Sequence, residues 1–171
     1  MNLPMSTLRR SSIPDERPLA TLTVGGILTV ADLNPFRRAI ERSEASLAID
    51  GSGVDELDIM EIVNQRHCLT LYSRKVSRHG DLVSIQNFCL KQNLTYRRVT
   101  RGGAFTDTTE CFWRPGLVIP HKFQINFNTG DVLYPMTFLL ALRTHKVNLN
   151  DWVLYFKENF PTEIPPLEVT S

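Results

Sequence analysis

Apolar and polar positions along this chain fall into short runs of two kinds, period-two alternation and three-and-four spacing. Together they predict an α+β domain with a mostly antiparallel sheet, three to four short helices, and flexible N- and C-terminal arms. Ala20-Thr21-Leu22-Thr23-Val24 alternates, Gly25-Gly26 interrupts, and Ile27-Leu28-Thr29-Val30 resumes, which predicts either a hairpin or one strand carrying a glycine bulge. Asn34-Pro35 predicts a helix start, a capping side chain followed by proline at the first helical position. Phe36, Ile40 and Leu47 then share one face, with Arg37, Arg38, Glu41, Arg42 and Glu44 largely on the other. Asp50-Gly51-Ser52-Gly53 ends that helix. Asp55 caps a second, in which Leu57, Met60 or Glu61, and Ile62 to Val63 turn toward the core with the register left open.

Further along, Cys68 to Tyr72 reads as a strand, and Leu82, Ile85, Phe88 and Cys89 predict an amphipathic helix reaching about Gln92. Leu94 to Thr100 is a candidate strand, followed by a polar turn from Arg101 to Thr109. Cys111-Phe112-Trp113 is a short strand stopped by Pro115-Gly116. The longest apolar feature is Phe123 to Leu142, two strand-like arms joined by Asn128-Thr129-Gly130-Asp131. Phe123, Ile125 and Phe127 share one face of the first arm, opposite Gln124, Asn126 and Asn128, so that arm is buried on one side. The second arm is apolar almost throughout, and the hairpin is expected to be the central element of the core. Pro135 marks an edge, a bulge or a break there, and a helix from Met136 to Arg143 is the alternative. Asn150-Asp151 caps a last helix, Trp152 to Asn159.

These elements set the domain limits. Residues 1–18, with Pro4, Pro14 and Pro18 among serines, form a disordered arm; residues 19–160 form a single globular domain; residues 161–171 form an extended tail. A chain of 171 residues buries enough surface to need neither disulfide nor metal. The three cysteines, Cys68, Cys89 and Cys111, are odd in number and widely spaced, as expected of free thiols in a reducing compartment. No apolar run reaches the ~18 residues of a membrane span, and the first residues lack the apolar core of a signal peptide. A cytosolic or nuclear protein, at most peripheral on membranes, is the expectation.

Chemistry is sparse. His67, His79, His121 and His145 never fall into zinc-ligand spacing with the cysteines, so no metal or other cofactor is expected. There is no nucleophile elbow and no phosphate-cradling glycine loop, and an enzyme is not expected. The net charge of +1 excludes a broad basic field for duplex nucleic acid. The basic residues are locally clustered, however. Arg97, Arg98 and Arg101 lie in a stretch without acids, where they are candidates to pair with phosphates of RNA or anionic lipid while Tyr96 or Phe105 stacks on a base. Ser11 and Ser12 follow Arg9-Arg10 and are candidate phosphorylation sites that would reverse the charge of the arm.

The segment from His121 to Thr137, HKFQINFNTGDVLYPMT, preceded by Pro120, resembles the late hairpin of rhabdovirus matrix proteins, of the small plant-infecting type. In that family a Phe-x-Ile strand, a glycine-containing turn and an apolar Thr-containing strand follow a Pro-His-basic step. The resemblance implies a virion structural protein that self-associates, condenses the ribonucleocapsid through nucleoprotein or RNA, and links it to membrane or glycoprotein tails, acting in the virion and host cytoplasm without a small-molecule substrate. The chain departs from animal-virus members in lacking PPxY and PTAP motifs and in its low net charge. Those departures bear more on membrane-driven budding than on self-association. The competing class is an RNA-binding accessory protein of a plant virus, a silencing suppressor or movement-associated factor, using the same arginines with a steep salt dependence.

Overall fold

The computed structural model describes residues 19–48, 55–73, 82–102, 108–126, 129, 131–133, 140, 143–144, 148, 150 and 163–171. Among them the chain is α+β. Seven strands form one sheet: β1 (Ala20–Thr29), β2 (Leu69–Ser73), β3 (Thr95–Thr100), β4 (Thr108–Trp113), β5 (His121–Ile125), β6 (Val132–Leu133) and β7 (Leu167–Thr170). Three helices, α1 (Leu33–Arg42), α2 (Glu56–Asn64) and α3 (Val83–Lys91), accompany it. The antiparallel order is β2-β1-β3-β4-β5-β6, and β7 joins β1 in parallel.

Alternation decides the two faces. Residues paired directly across an antiparallel ladder share a face, so Leu71, Leu22, Arg98, Cys111 and Lys122 form one row across five strands, and Leu69, Val24, Tyr96 and Trp113 form another. Leu33, Phe36, Ala39 and Ile40 of α1 and Ile85 and Cys89 of α3 join these rows in one core, with the Phe36 and Phe88 rings stacked at 5.2 Å. The cover stops short of β5, where Lys122 and Gln124 on that same face are exposed.

The Phe123 hairpin is therefore a hairpin but not the centre of the core. Gln124 pairs with Leu133 and Ile125 with Val132 at the far edge of the sheet, and Phe123 and Ile125 are only half-buried. A strand with charged and amide side chains alternating on one face cannot lie between layers, because those groups would be desolvated without partners. The centre is instead β1 with β3, each flanked on both sides. The helix alternative after Pro135 and the last helix from Trp152 fall largely outside the described residues, as does the N-terminal arm.

β1 is one continuous strand rather than a hairpin, and its glycines mark a change of partners. From Ala20 to Val24 it pairs with β2 and from Ala20 to Gly25 with β3, both antiparallel; from Gly26 to Thr29 it pairs in parallel with β7. The expected flexible C-terminal tail is accordingly corrected. It is extended, but its Leu167 side chain is fully buried in the core, which ties it down.

Local signals explain the helix boundaries. Asp55 caps α2 as expected, its carboxylate accepting from the Asp58 amide at 2.8 Å while Asp58 accepts from the Asp55 amide at 2.9 Å. Ile59 points into the core and Leu57 is 78% exposed, which settles the open register against Leu57. α1 begins one residue before Asn34, after a 3-10 turn from Val30 to Asp32. There the Asp32 carboxylate accepts from the Thr29 amide at 3.1 Å and hydroxyl at 2.6 Å.

Candidate interaction surface

Strand pairing splits the arginine stretch between two faces. Tyr96 and Arg98 face the helices and are buried, Arg98 to 2% exposure. Arg98 Nη1 donates to Gln86 Oε1 at 2.8 Å, and Gln86 Nε2 donates to the Tyr96 hydroxyl at 3.3 Å and to Cys111 Sγ at 3.8 Å. Gln86 thus spends its amide inside the core, on α3, joining three strand residues. Burial, and then the neighbouring Cys111 thiol, push the Tyr96 hydroxyl above its ordinary range, and burial does the same to Cys89. With Tyr96 fully covered, its ring offers no face to a base.

Arg97 lies on the opposite face. Its Nη2 donates to Glu110 Oε2 at 2.9 Å and its Nε lies 2.7 Å from Glu110 Oε1, while the Glu110 side chain is buried. Arg97 neutralises that carboxylate. Arg101 follows β3, half-buried, its amide donating to the Leu19 carbonyl at 2.8 Å. The four candidate residues therefore do not form one strip: two belong to the core, one to an ion pair, and Arg101 alone is a half-buried strand-end cation. Sequence spacing could not show this, since alternation predicts opposite faces for Arg97 and Arg98 but not which face the helices cover. Phe105, Ser11 and Ser12 lie outside the described residues. Among the described residues no three His, Cys, Asp or Glu side chains gather as metal ligands would, and no helix is long and apolar enough to cross a membrane.

The surface feature that the sequence reading passed over is the connection from β4 to β5. Pro115-Gly116 stops β4, and it also starts a projection tied to the core by hydrogen bonds. Gly116 adopts φ +96°, a left-handed conformation that favours glycine. The Leu117 amide donates to the Arg114 carbonyl at 3.1 Å, and Trp113 Nε1 donates to the Leu117 carbonyl at 3.0 Å. Leu117 packs on the core. With Leu117 anchored inward and Pro120 fixing the far end, Val118 and Ile119 point outward at 97% and 67% exposure. Lys122, exposed, follows them at the start of β5. The signal in sequence is three consecutive aliphatic residues, Leu117-Val118-Ile119, too short for a buried element, preceded by Pro115-Gly116 and followed by Pro120.

No known protein family matches this chain, and no curated protein or solved structure is significantly similar to it.

Proposed function

We propose that this chain is a non-catalytic assembly protein of the viral matrix type, which self-associates through exposed surfaces, condenses the ribonucleocapsid and links it to membrane or glycoprotein. The observation that carries the reading is the outward-held pair Val118 and Ile119, clamped at its base by Trp113 and Leu117. Single exposed apolar residues are ordinary on protein surfaces. Two adjacent ones on a loop that is itself pinned to the core are pre-organised for contact, because little ordering remains to be done on binding. The resemblance of residues 121–137, which begin directly after this loop, supports the viral matrix form of the reading. The assembly would act in the virion and host cytoplasm, peripheral to membranes.

The test replaces Val118 and Ile119 together by Asp. Full burial of two such side chains contributes about 3–6 kcal/mol per contact before association costs. The double variant should keep the unfolding midpoint of the parent and lose self-association. Unchanged association would remove the loop from the assembly surface.

A further inference from the structure

The place where β7 joins β1 has the features of a binding slot as well as those of a strand pairing. A Cβ added at Gly25 would lie 1.7 Å from the Pro165 carbonyl oxygen, so the chain can pass only because that residue is glycine. Gly26, at φ +120°, turns its amide to donate to the Pro166 carbonyl at 3.0 Å. On the far side the Leu167 amide donates to the His67 carbonyl at 3.0 Å, just ahead of β2. The Thr170 hydroxyl donates to the Leu28 carbonyl at 3.3 Å. The inserted segment is held by backbone bonds and one fully buried side chain, Leu167, with Val169 partly buried and Glu168 and Thr170 exposed. Extended backbone, main-chain hydrogen bonds and alternate side chains inward are what strand-addition ligands present to a sheet edge.

We infer that the slot along β1 from Gly25 to Thr29 is a strand-acceptor site, and that in the assembled state it takes the Pro165–Thr170 segment of a second copy of this chain. The inference rests on the self-association reading and names one of its contacts. Every contact between the segment and the slot is local to the two, so none requires that they belong to one chain. Exchange between copies therefore conserves all of them, and local concentration decides which copy is used. A vacated slot would expose unpaired β1 amides and carbonyls beside an empty leucine site, an edge that demands refilling. Residues 134–166 separate β6 from β7 in sequence, enough chain to reach an adjacent copy.

Ile27 and Glu168 are register partners across the slot and both exposed, which provides the test. Full-length chains carrying Cys68→Ser and either Ile27→Cys or Glu168→Cys are mixed at assembling concentration and treated with a short bis-thiol cross-linker. A mixture of Lys122→Cys and Glu168→Cys chains measures chance encounter. Covalent pairs of the Ile27→Cys and Glu168→Cys chains well above that background, lost when Gly25→Ala is added to the acceptor, are expected. Assembly without those pairs overturns the exchange and leaves self-association standing. A monomer at every concentration overturns both. A chain carrying both cysteines should cross-link to itself in dilute solution; failure there would show that β7 does not occupy the slot at all.

Discussion

Replacing Gln86 by Leu tests the buried polar network that joins α3 to the sheet. The substitution keeps much of the side-chain volume and removes both polar atoms. Arg98 loses the acceptor 2.8 Å from its Nη1, and the Tyr96 hydroxyl loses its donor at 3.3 Å. A hydrogen bond to a charged group contributes about 1.5–3 kcal/mol, and a neutral one about 0.5–1.5 kcal/mol. Because both partners are buried, water cannot replace what is lost without opening the core. The expected loss is about 2–4 kcal/mol, a large share of the ~5–15 kcal/mol typical of a domain. Urea unfolding followed by tryptophan fluorescence measures it, with the denaturant slope expected to stay constant. Gln86→Glu retains an acceptor for Arg98 and adds an opposite charge, so it should be less damaging than Gln86→Leu. If Leu and Glu are equally tolerated, within about 0.5 kcal/mol of the parent, Gln86 does not hold Arg98 and the network is wrong.

The buried Tyr96 hydroxyl and Cys89 thiol also make stability pH-dependent. In the unfolded chain they release protons near their ordinary values of 10.0 and 9.0, while in the folded chain burial holds those protons on. The unfolded state then binds fewer protons, so stability is full below about pH 9 and falls as pH rises above it; Cys89→Ala should make the decline shallower, and a flat profile to pH 11 would contradict the burial. Leu167→Ala removes a fully buried side chain and should lower stability by about 2–5 kcal/mol in chemical denaturation, whereas an unattached tail would show no change. Arg97→Ala leaves the Glu110 carboxylate buried without its cation and should destabilise by about 1–2 kcal/mol in the same denaturation, whereas an unchanged midpoint would show that the pair adds nothing to stability. An RNA-binding role for Arg97 and Arg101 predicts that the double Ala variant lowers polyanion affinity and the salt slope by about one per lost phosphate contact; unchanged affinity removes that reading.

Much of the fold was legible because it follows local rules. The Asp55 cap, the α3 spacing of Ile85 and Cys89, and the alternation from Ala20 to Val24 each act within a few residues. What was hidden depends on distant partners. Leu167 looks like tail sequence until β1 supplies a glycine slot for it. The Phe123 hairpin looks central until the helices are seen to cover β1 and β3 instead. Arg98 and Tyr96 read as surface chemistry because a cation next to an aromatic is polar in composition, whereas Gln86, contributed by α3, gives both a buried hydrogen-bond partner. The projecting loop carries no period in sequence: nothing there separates Val118 and Ile119 from Leu117, which takes the core position and leaves them outside.

Sedimentation equilibrium across a wide concentration range, at low and high salt, tests the assembly reading most directly. Average mass should climb with concentration without settling at one small oligomer, and Val118→Asp with Ile119→Asp should hold the chain near its monomer mass of 19.5 kDa. A parent chain that stays monomeric throughout would contradict the account.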